Sequence, residues 1–582
     1  MKVILTTLNA KYTHSSLALR YLKEYCKPVC EVEIKEFSIN NGILDILSQI
    51  FQAKPDTVGF ACYIWNIEMT IKLVNLIKKV LPNITIICGG PEVSYQPEEF
   101  LRENESVDYI IQGEGEETLY HLLAQLKLGK RIEDILALTY YNQKNEMISS
   151  RAIVVENLDT IPFPYHDEEM AELKDKIIYY ESSRGCPFSC QYCLSSATQG
   201  VRFFSINRVL DELRFFIRHD VRQVKFVDRT FNAKKSHYMQ ILKFLVGQNC
   251  KTNFHFEIAA DLLDDEVLDV LALMPVGRVQ LEIGVQSTNE VTLDKICRNN
   301  NWDKIVYNVT RILAFNNIHL HLDLIIGLPN EDYESFQKSF NDVYSLKPHM
   351  LQIGFLKLLK GSGISLNREK HEYVFMDTAP YQVLANKYMS YEEVRKLYIL
   401  EEIFEQYYNS GRFRNATQLL IDLKDGNAFR FYDTLTEYWQ ERGFHLIAHT
   451  TKSLYKYLYE FCEEKYPEKA ELLKEILKFD ALLSDKAGIR PEFLDWNEEK
   501  YNTRTSYFWR EKVAEEYLDH YKFTTWRDIR KKYHIEVFKF DIIKFMKAKE
   551  LVTTNLPVLF SFTGDMTTYQ VIKDKDFWQG EI

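Results

Sequence analysis

The sequence predicts an α/β protein in three parts. A doubly wound sheet occupies residues 1–150, a linker 151–172, a partial (β/α)6 barrel 173–370 and a mostly helical domain 371–582. Three observations carry this. Apolar strand runs alternate with helical periodicity from Val3 onward, which calls for a parallel sheet. Six further strand runs, five of them followed by a helical pattern, come after residue 175. Beyond residue 375 the pattern turns to long amphipathic helices. A chain of 582 residues exceeds one core.

In the first part, strands are expected at Val3–Leu8, Glu31–Phe37, Thr57–Cys62, Ile84–Cys88 and Val107–Ile111. Helices are expected at Ser16–Tyr25, Ile43–Phe51, Met69–Val80 and Glu117–Leu128, and a hairpin at Leu138–Ser149. Ligands of such sheets bind beyond the carboxyl ends of the strands. Those ends carry Asn9, Tyr12, His14, Ser15 and Ser16, then Trp65 and Asn66, then Gly89, Gly90, Pro91 and Glu92, then Glu114. No GxGxxG or Walker sequence is present, which argues against a dinucleotide or ATP site. Ile161-Pro-Phe-Pro-Tyr165 reads as an extended linker.

The barrel strands are expected at Ile177–Glu181, Gln223–Asp228, Asn253–Ile258, Val279–Val285, His319–Ile326 and Met350–Leu356. The loop after the first holds Cys186, Cys190 and Cys193, a C-x3-C-x2-C array. Thiolates are soft ligands, and three this close can face one metal centre. Zinc would want a fourth Cys or His at recognisable spacing, and a disulfide with a spare thiol would want an oxidising compartment. A 4Fe–4S cube held by three cysteines keeps one iron open to a cofactor or substrate. Polar or glycine features recur where the other strands end: Asp228 to Asn232, Glu257, Glu282 with Gln286, and Gly327 to Pro329. A Glu inside an apolar strand, such as Glu282, is costly to bury unless paired or functional. Arg202 is suited to a bidentate carboxylate contact or an ordinary ion pair. His319 and His321 face one side of a strand and read as satisfied barrel residues. Cys62, Cys88 and Cys297 read as core packing, and the Cys26/Cys30 pair lacks a third ligand.

The cysteine array, with Tyr192 ahead of its last member, resembles the signature of the radical S-adenosylmethionine (radical SAM) superfamily. That resemblance implies a 4Fe–4S cluster whose open iron binds S-adenosylmethionine and cleaves it to a 5′-deoxyadenosyl radical. It also implies that Tyr192, Asp228, Asn232, Glu282, Gln286, Gly327 and Pro329 contact that cofactor. The N-terminal, Rossmann-like part resembles the cobalamin-binding domain found ahead of many radical SAM cores. Its implied cobalamin contacts are Asn9, Tyr12, Ser15, Ser16, Trp65, Asn66, Gly89, Gly90, Pro91, Glu92 and Glu114. The Asp-x-His-x-x-Gly motif that supplies a lower cobalt ligand is absent, so His14 is not expected to ligate cobalt. The last third resembles the uncharacterised extension of one cobalamin-type subgroup.

The activity so implied is methylation of an unactivated carbon of an unknown substrate. Its alternatives are a cobalamin-associated rearrangement, cyclisation or oxidation, or a non-enzymatic cluster or corrinoid carrier. An electron donor such as flavodoxin or ferredoxin is implied as partner. A net charge of −11 argues against a nucleic-acid partner. The short apolar run at Val3 is no signal peptide and no stretch is long enough for a membrane span, so a cytoplasmic protein is expected.

In the last third, helices are expected at Tyr391–Tyr408, Ser453–Glu463 and Trp509–Tyr521 and strands at Val537–Asp541 and Val558–Phe562. The basic run from Trp526 reads as a solvated helix face.

Overall fold

The computed structural model describes residues 1–197, 200–485, 488–497, 500–510, 513–564 and 566–578. It forms two compact units, Met1–Val394 and Arg395–Ile582.

The first unit opens with strands β1 (Lys2–Asn9), β2 (Glu31–Ser38), β3 (Thr57–Ala61), β4 (Thr85–Gly89) and β5 (Tyr109–Ile111). They pair in parallel in the order β2-β1-β3-β4-β5. The expected hairpin, β6 (Leu138–Tyr141) and β7 (Met147–Ser149), adds two antiparallel strands to the β5 edge. Alternation along the strands feeds two cores. Ile4, Leu8, Val58, Phe60 and Ile86 pack with Ile46, Ile50, Leu73 and Ile77, from helices Ile43–Ala53 and Ile67–Val80. Val3, Leu5, Ile87 and Ile111 pack with Leu19, Leu119, Leu122 and Leu123, from helices Leu17–Cys26 and Glu116–Lys127. Each fully buried Leu or Ile contributes about 1.5–3 kcal/mol by leaving water. The Ser16 hydroxyl caps the first helix by accepting from the Leu19 amide. Cys62 and Cys88 lie in one core, Cys26 and Cys30 in the other.

The expected linker is packed rather than merely extended. Phe163 and Tyr165 sit against Phe216 of helix Ile206–Arg218, and the Tyr165 hydroxyl donates to the Tyr179 carbonyl.

The barrel strands are β8 (Ile178–Tyr180), β11 (Gln223–Phe226), β12 (Asn253–Ile258), β13 (Val279–Gln286), β14 (His319–Ile326) and β15 (Met350–Phe355). All pair in parallel in the order β8-β11-β12-β13-β14-β15. A short antiparallel pair, β9 (Ser183–Gly185) and β10 (Val201–Phe203), brackets the cysteine loop. Fully covered parallel strands are usually apolar throughout. Here they alternate: Val279, Leu281, Ile283 and Val285 are buried, while Gln280, Glu282, Gly284 and Gln286 are half-buried. The alternation marks a polar barrel interior. A small pair, β16 (Val374–Phe375) and β17 (Val383–Ala385), follows the barrel.

The second unit holds helices Arg414–Asp422, Ala428–Arg442, Thr451–Lys465 and Ala470–Ser484. Its sheet is antiparallel: β18 (Tyr533–Phe540), β19 (Thr553–Ser561) and β20 (Thr568–Val571). The expected helix Trp509–Tyr521 is replaced by helix Asn502–Arg510 and a single turn at Val513–Glu516, with residues 511–512 outside the described set. Lys478, on the helix Ala470–Ser484, is 1% exposed and pairs with Glu475 at 2.9 Å and Glu536 at 3.4 Å. A buried cation of this kind needs its carboxylates to offset desolvation. The basic helix Trp526–Lys532 has Ile529 as its buried residue, in line with a solvated face. Among the described residues, no helix is long and apolar enough to cross a membrane.

Candidate functional site

The first unit contains two adjoining cavities. The smaller, about 180 Å³, is lined by Cys186, Cys190 and Cys193, with Tyr192, Glu282, Gln286 and Arg298 among its other walls. Among the described residues no fourth cysteine and no histidine lines it. That composition fits an iron–sulfur cluster with an open iron better than zinc. Two donors reach the sulfurs: the Ser195 amide donates to Cys193 Sγ at 3.4 Å, and the Arg298 guanidinium reaches Cys190 Sγ at 3.6 Å. Burial raises the Cys190 thiol, and the Arg298 charge opposes it. Gly185, ahead of the loop, has φ +97°, and an added Cβ would lie 2.1 Å from the Gly200 carbonyl oxygen. The close pass of the Gly200 backbone demands the glycine.

Arg298 escaped the sequence reading. It donates to the Tyr192 hydroxyl at 3.0 Å and to the Gly284 carbonyl, joining the β13 end to the cysteine loop. No spacing signal marks it; only the fold brings it across.

The larger cavity, about 590 Å³, opens at the strand ends of the N-terminal sheet. Gly59, Ala61, Gly89, Gly113 and Gly115 line it, as do Asn9, His14, Ser15, Ser16, Trp65, Gly90 and Glu114. Walls made of glycine and alanine leave room for a broad group, and a corrin fits that description. Tyr63 and Trp65 stack at its edge, 4.5 Å between centroids. Tyr179, Glu181 and Arg184 close it from the barrel side. Arg229 and Glu257 line both cavities.

Several expected contacts are spent within the protein. Asp228, fully buried, accepts from the Ser182 amide at 2.8 Å and from the Ser182 and Ser183 hydroxyls at 2.7 and 2.6 Å. It braces the strand leading to the cysteines. Burial pushes its carboxyl up to about 6, against those hydrogen bonds. The Asn232 carboxamide exchanges two hydrogen bonds with the Ala259 backbone. Neither Gly327 nor Pro329 lines either of these two cavities; the Gly327 carbonyl accepts from Tyr373 and Asn386, and its φ of +88° explains the glycine. Asn66 is bound to Thr7, Leu8 and Ala61. Glu92 is buried and accepts from the Tyr381 hydroxyl at 2.9 Å; Pro91 lies off the walls. Tyr12 is 77% exposed and off the walls, with Lys176 over its ring. Gly90 is required by φ +107° and by the Cys62 carbonyl oxygen, 2.6 Å from an added Cβ.

Glu114 keeps its place on the cavity wall, but Arg202 grips its carboxylate bidentately and Arg184 reaches it at 3.4 Å. Arg184 also holds Glu116 and Glu181 at 2.7 and 2.8 Å. Cys297 is exposed, a correction to core packing: it follows helix Glu290–Lys295 at φ +53° and faces Gln191.

Glu282 lies one layer inside the barrel. Lys225 and His255 bind it at 3.2 and 3.0 Å. Burial alone would raise its carboxyl; the His255 hydrogen bond and the Lys225 charge bring it down to about 2. His321 pairs with Asp323 at 3.2 Å, and Glu282, His321 and Asp323 place their donor atoms within 4.8 Å of one another. His319 instead lies on the strand's outer end against His349. The Gln286 side-chain oxygen is buried with no hydrogen-bond partner in the protein, on the wall beside the cysteines. His14 Nδ1 is hydrogen-bonded to the Tyr179 hydroxyl, and burial followed by the Lys11 and Lys225 charges lowers its pKa.

A glycine-walled cavity on a parallel sheet thus adjoins a three-cysteine barrel, and both parts match known domain families. Residues 3–123 match the B12 binding domain, residues 180–343 the radical SAM superfamily, and residues 369–560 a protein family of unknown function, DUF4080.

Among known relatives, the cobalamin-dependent radical SAM methyltransferase TokK of Streptomyces tokunonensis is 27% identical over 346 residues, 56% of this chain and 50% of that protein. An uncharacterised methyltransferase, PH0819 of Pyrococcus horikoshii, is 25% identical over 333 residues, 56% of this chain and 72% of that protein. The chain thus spans only half of the first relative's length. The fold matches the cobalamin-dependent S-adenosylmethionine radical enzyme OxsB at TM-score 0.57 and 15% identity, covering 82% of this chain and 83% of that one.

Proposed function

We propose that the protein is a cobalamin-dependent radical SAM enzyme that methylates an unactivated carbon. One observation carries the reading: the cavity on the cobalamin-type sheet and the cysteine cavity share Arg229 and Glu257 as common walls. A group bound in one is therefore adjacent to a group bound in the other. TokK and a carbapenam carboxylate methyltransferase, 27% and 25% identical, carry methyltransferase names.

Cys186, Cys190 and Cys193 would hold the 4Fe–4S cluster, with Tyr192 and Arg298 packed behind Cys190. Gln286 offers S-adenosylmethionine an unpaired amide acceptor, and Glu282 a charge kept ionised by Lys225 and His255. Asn9, Ser15, Ser16, Trp65, Gly89 and Gly90 would face cobalamin. When bound, these cofactors supply reductive cleavage of the sulfonium and carriage of the methyl group. The protein's share is to hold them in register and exclude water. A low-potential electron donor such as flavodoxin or ferredoxin would reduce the cluster, in a cytoplasm that keeps the thiols reduced.

The test is anaerobic reconstitution with iron, sulfide and cobalamin. Release of 5′-deoxyadenosine from S-adenosylmethionine, and transfer of its labelled methyl group to a product from a cell extract, are expected. A cluster-loaded protein that releases no 5′-deoxyadenosine overturns the reading.

A further inference from the structure

Cavity walls built for cofactors usually carry charges already matched by the protein, because an unmatched charge there costs desolvation. The two cavities follow this rule except at their two shared walls, Arg229 and Glu257. Arg184 is held by Glu114, Glu116 and Glu181, and Arg298 by Tyr192, Gly284 and Cys190. Arg229 is different. Its guanidinium makes no ion pair and no side-chain hydrogen bond among the described residues. It follows the buried brace Asp228, which fixes the backbone beneath it. It is exposed and lines both cavities at once. Burial pushes the Tyr63 and Tyr95 hydroxyls and the Glu257 carboxyl upward, and in all three the Arg229 charge opposes the shift. The guanidinium therefore stands between the N-terminal sheet and the barrel, at the place where the two cavities meet.

We propose that Arg229 is the substrate-recognition residue, and that the substrate carries an anionic group, a carboxylate or a phosphate, bound there by the guanidinium. This rests on the reading of the two cavities as cofactor sites. A planar five-donor fork is suited to bidentate capture of either oxyanion. Anchoring the anion at the junction presents the neighbouring carbon to both cavities together. Such an anchor converts binding energy into orientation. Glu257, the other shared wall, lies within electrostatic reach of the guanidinium.

The experiment is arginine labelling of the reconstituted holoprotein with phenylglyoxal, mapped by peptide mass spectrometry. Labelling of Arg229 is expected to outpace that of Arg184, Arg202 and Arg298, whose donors are occupied. Saturating S-adenosylmethionine should leave the Arg229 rate unchanged. Acetate or inorganic phosphate, at about four times its dissociation constant, should slow it about fivefold relative to chloride at equal ionic strength. The stronger protector of the two tells carboxylate from phosphate. Protection by S-adenosylmethionine alone would assign the guanidinium to the cofactor's own carboxylate and overturn the proposal. Arg229 slower to label than the paired arginines, or insensitive to both anions, would overturn it too. Release of 5′-deoxyadenosine by the same preparation is scored separately, so failure of the functional reading is distinguishable from failure of this one.

Discussion

Asp228 offers the sharpest test of site against scaffold. Its three hydrogen bonds tie Ser182 and Ser183 to the end of β11, just ahead of the cysteine loop. Asp228→Ala leaves the Ser182 amide and two hydroxyls without their acceptor in a fully buried place. Hydrogen bonds to a charged group contribute about 1.5–3 kcal/mol each. The hydroxyls can rotate to other acceptors but the amide cannot. Burial also opposes the ionised carboxyl, which is pushed up to about 6, so the net loss falls well short of three full bonds. A local loss of about 3–4 kcal/mol is expected, which corresponds to a roughly 150- to 900-fold rise in opening. The assay is amide hydrogen exchange of residues 182–185 in cofactor-free protein, read against the N-terminal sheet as internal control. Exchange within a few-fold of the unsubstituted protein would refute the brace and return Asp228 to the cofactor. The sign with pH follows from the raised carboxyl. An acid whose folded pKa exceeds its unfolded value of about 3.9 takes up a proton on folding, so its penalty is present above about pH 6 and relieved as pH falls toward 4.

Replacing Cys186, Cys190 and Cys193 together with Ala should abolish bound iron and sulfide in reconstituted protein; retained sulfide would contradict the cluster assignment. Glu282→Gln should cost up to about 3 kcal/mol at neutral pH, from a carboxyl held near 2 against about 4.3 unfolded. That contribution is complete above about pH 4.3 and lost as pH falls through 2, so urea unfolding of variant and parent should converge at pH 2; a constant gap would show that charge is not the cause. Gly90→Ala should lower the melting temperature of cofactor-free protein, since φ +107° and the Cys62 carbonyl both oppose a Cβ; unchanged stability with lost cobalamin binding would instead reserve the glycine for the ligand. The cob(II) form should give an electron paramagnetic resonance spectrum without nitrogen superhyperfine splitting, unaltered in His14→Ala, because the chain lacks the Asp-x-His-x-x-Gly motif that supplies a lower ligand; splitting that vanishes in the variant would make His14 a cobalt ligand.

Read without coordinates, the chain yields its layers because hydrophobic period and turn residues are local properties. The strand–helix alternation from Val3 to Leu128, and the six barrel strands, follow from side-chain spacing alone. So does the cluster site, since Cys186, Cys190 and Cys193 lie within one loop. The alternation in β13 even shows that the barrel interior is polar. The C-terminal strands were legible in place but not in number: β20 is only four residues long, all of them exposed, too short a run to stand out.

What a polar side chain at a strand end does is another matter. Asp228, Asn232, Asn66 and Glu92 all fall where ligands bind such folds, yet each is satisfied by protein partners. The Glu92 partner, Tyr381, lies 289 residues away. Conversely, Arg298 joins the cysteine loop across 106 residues, and Arg229 is left unmatched among the described residues while Glu116 and Glu282 are held by Arg184 and Lys225. Residue type and spacing determined the metal chemistry, the two sheets and the rim on which function sits. Tertiary packing decided which rim residues remain available, because a hydrogen bond or ion pair is a short-range contact whose partner the chain brings in from anywhere along its length.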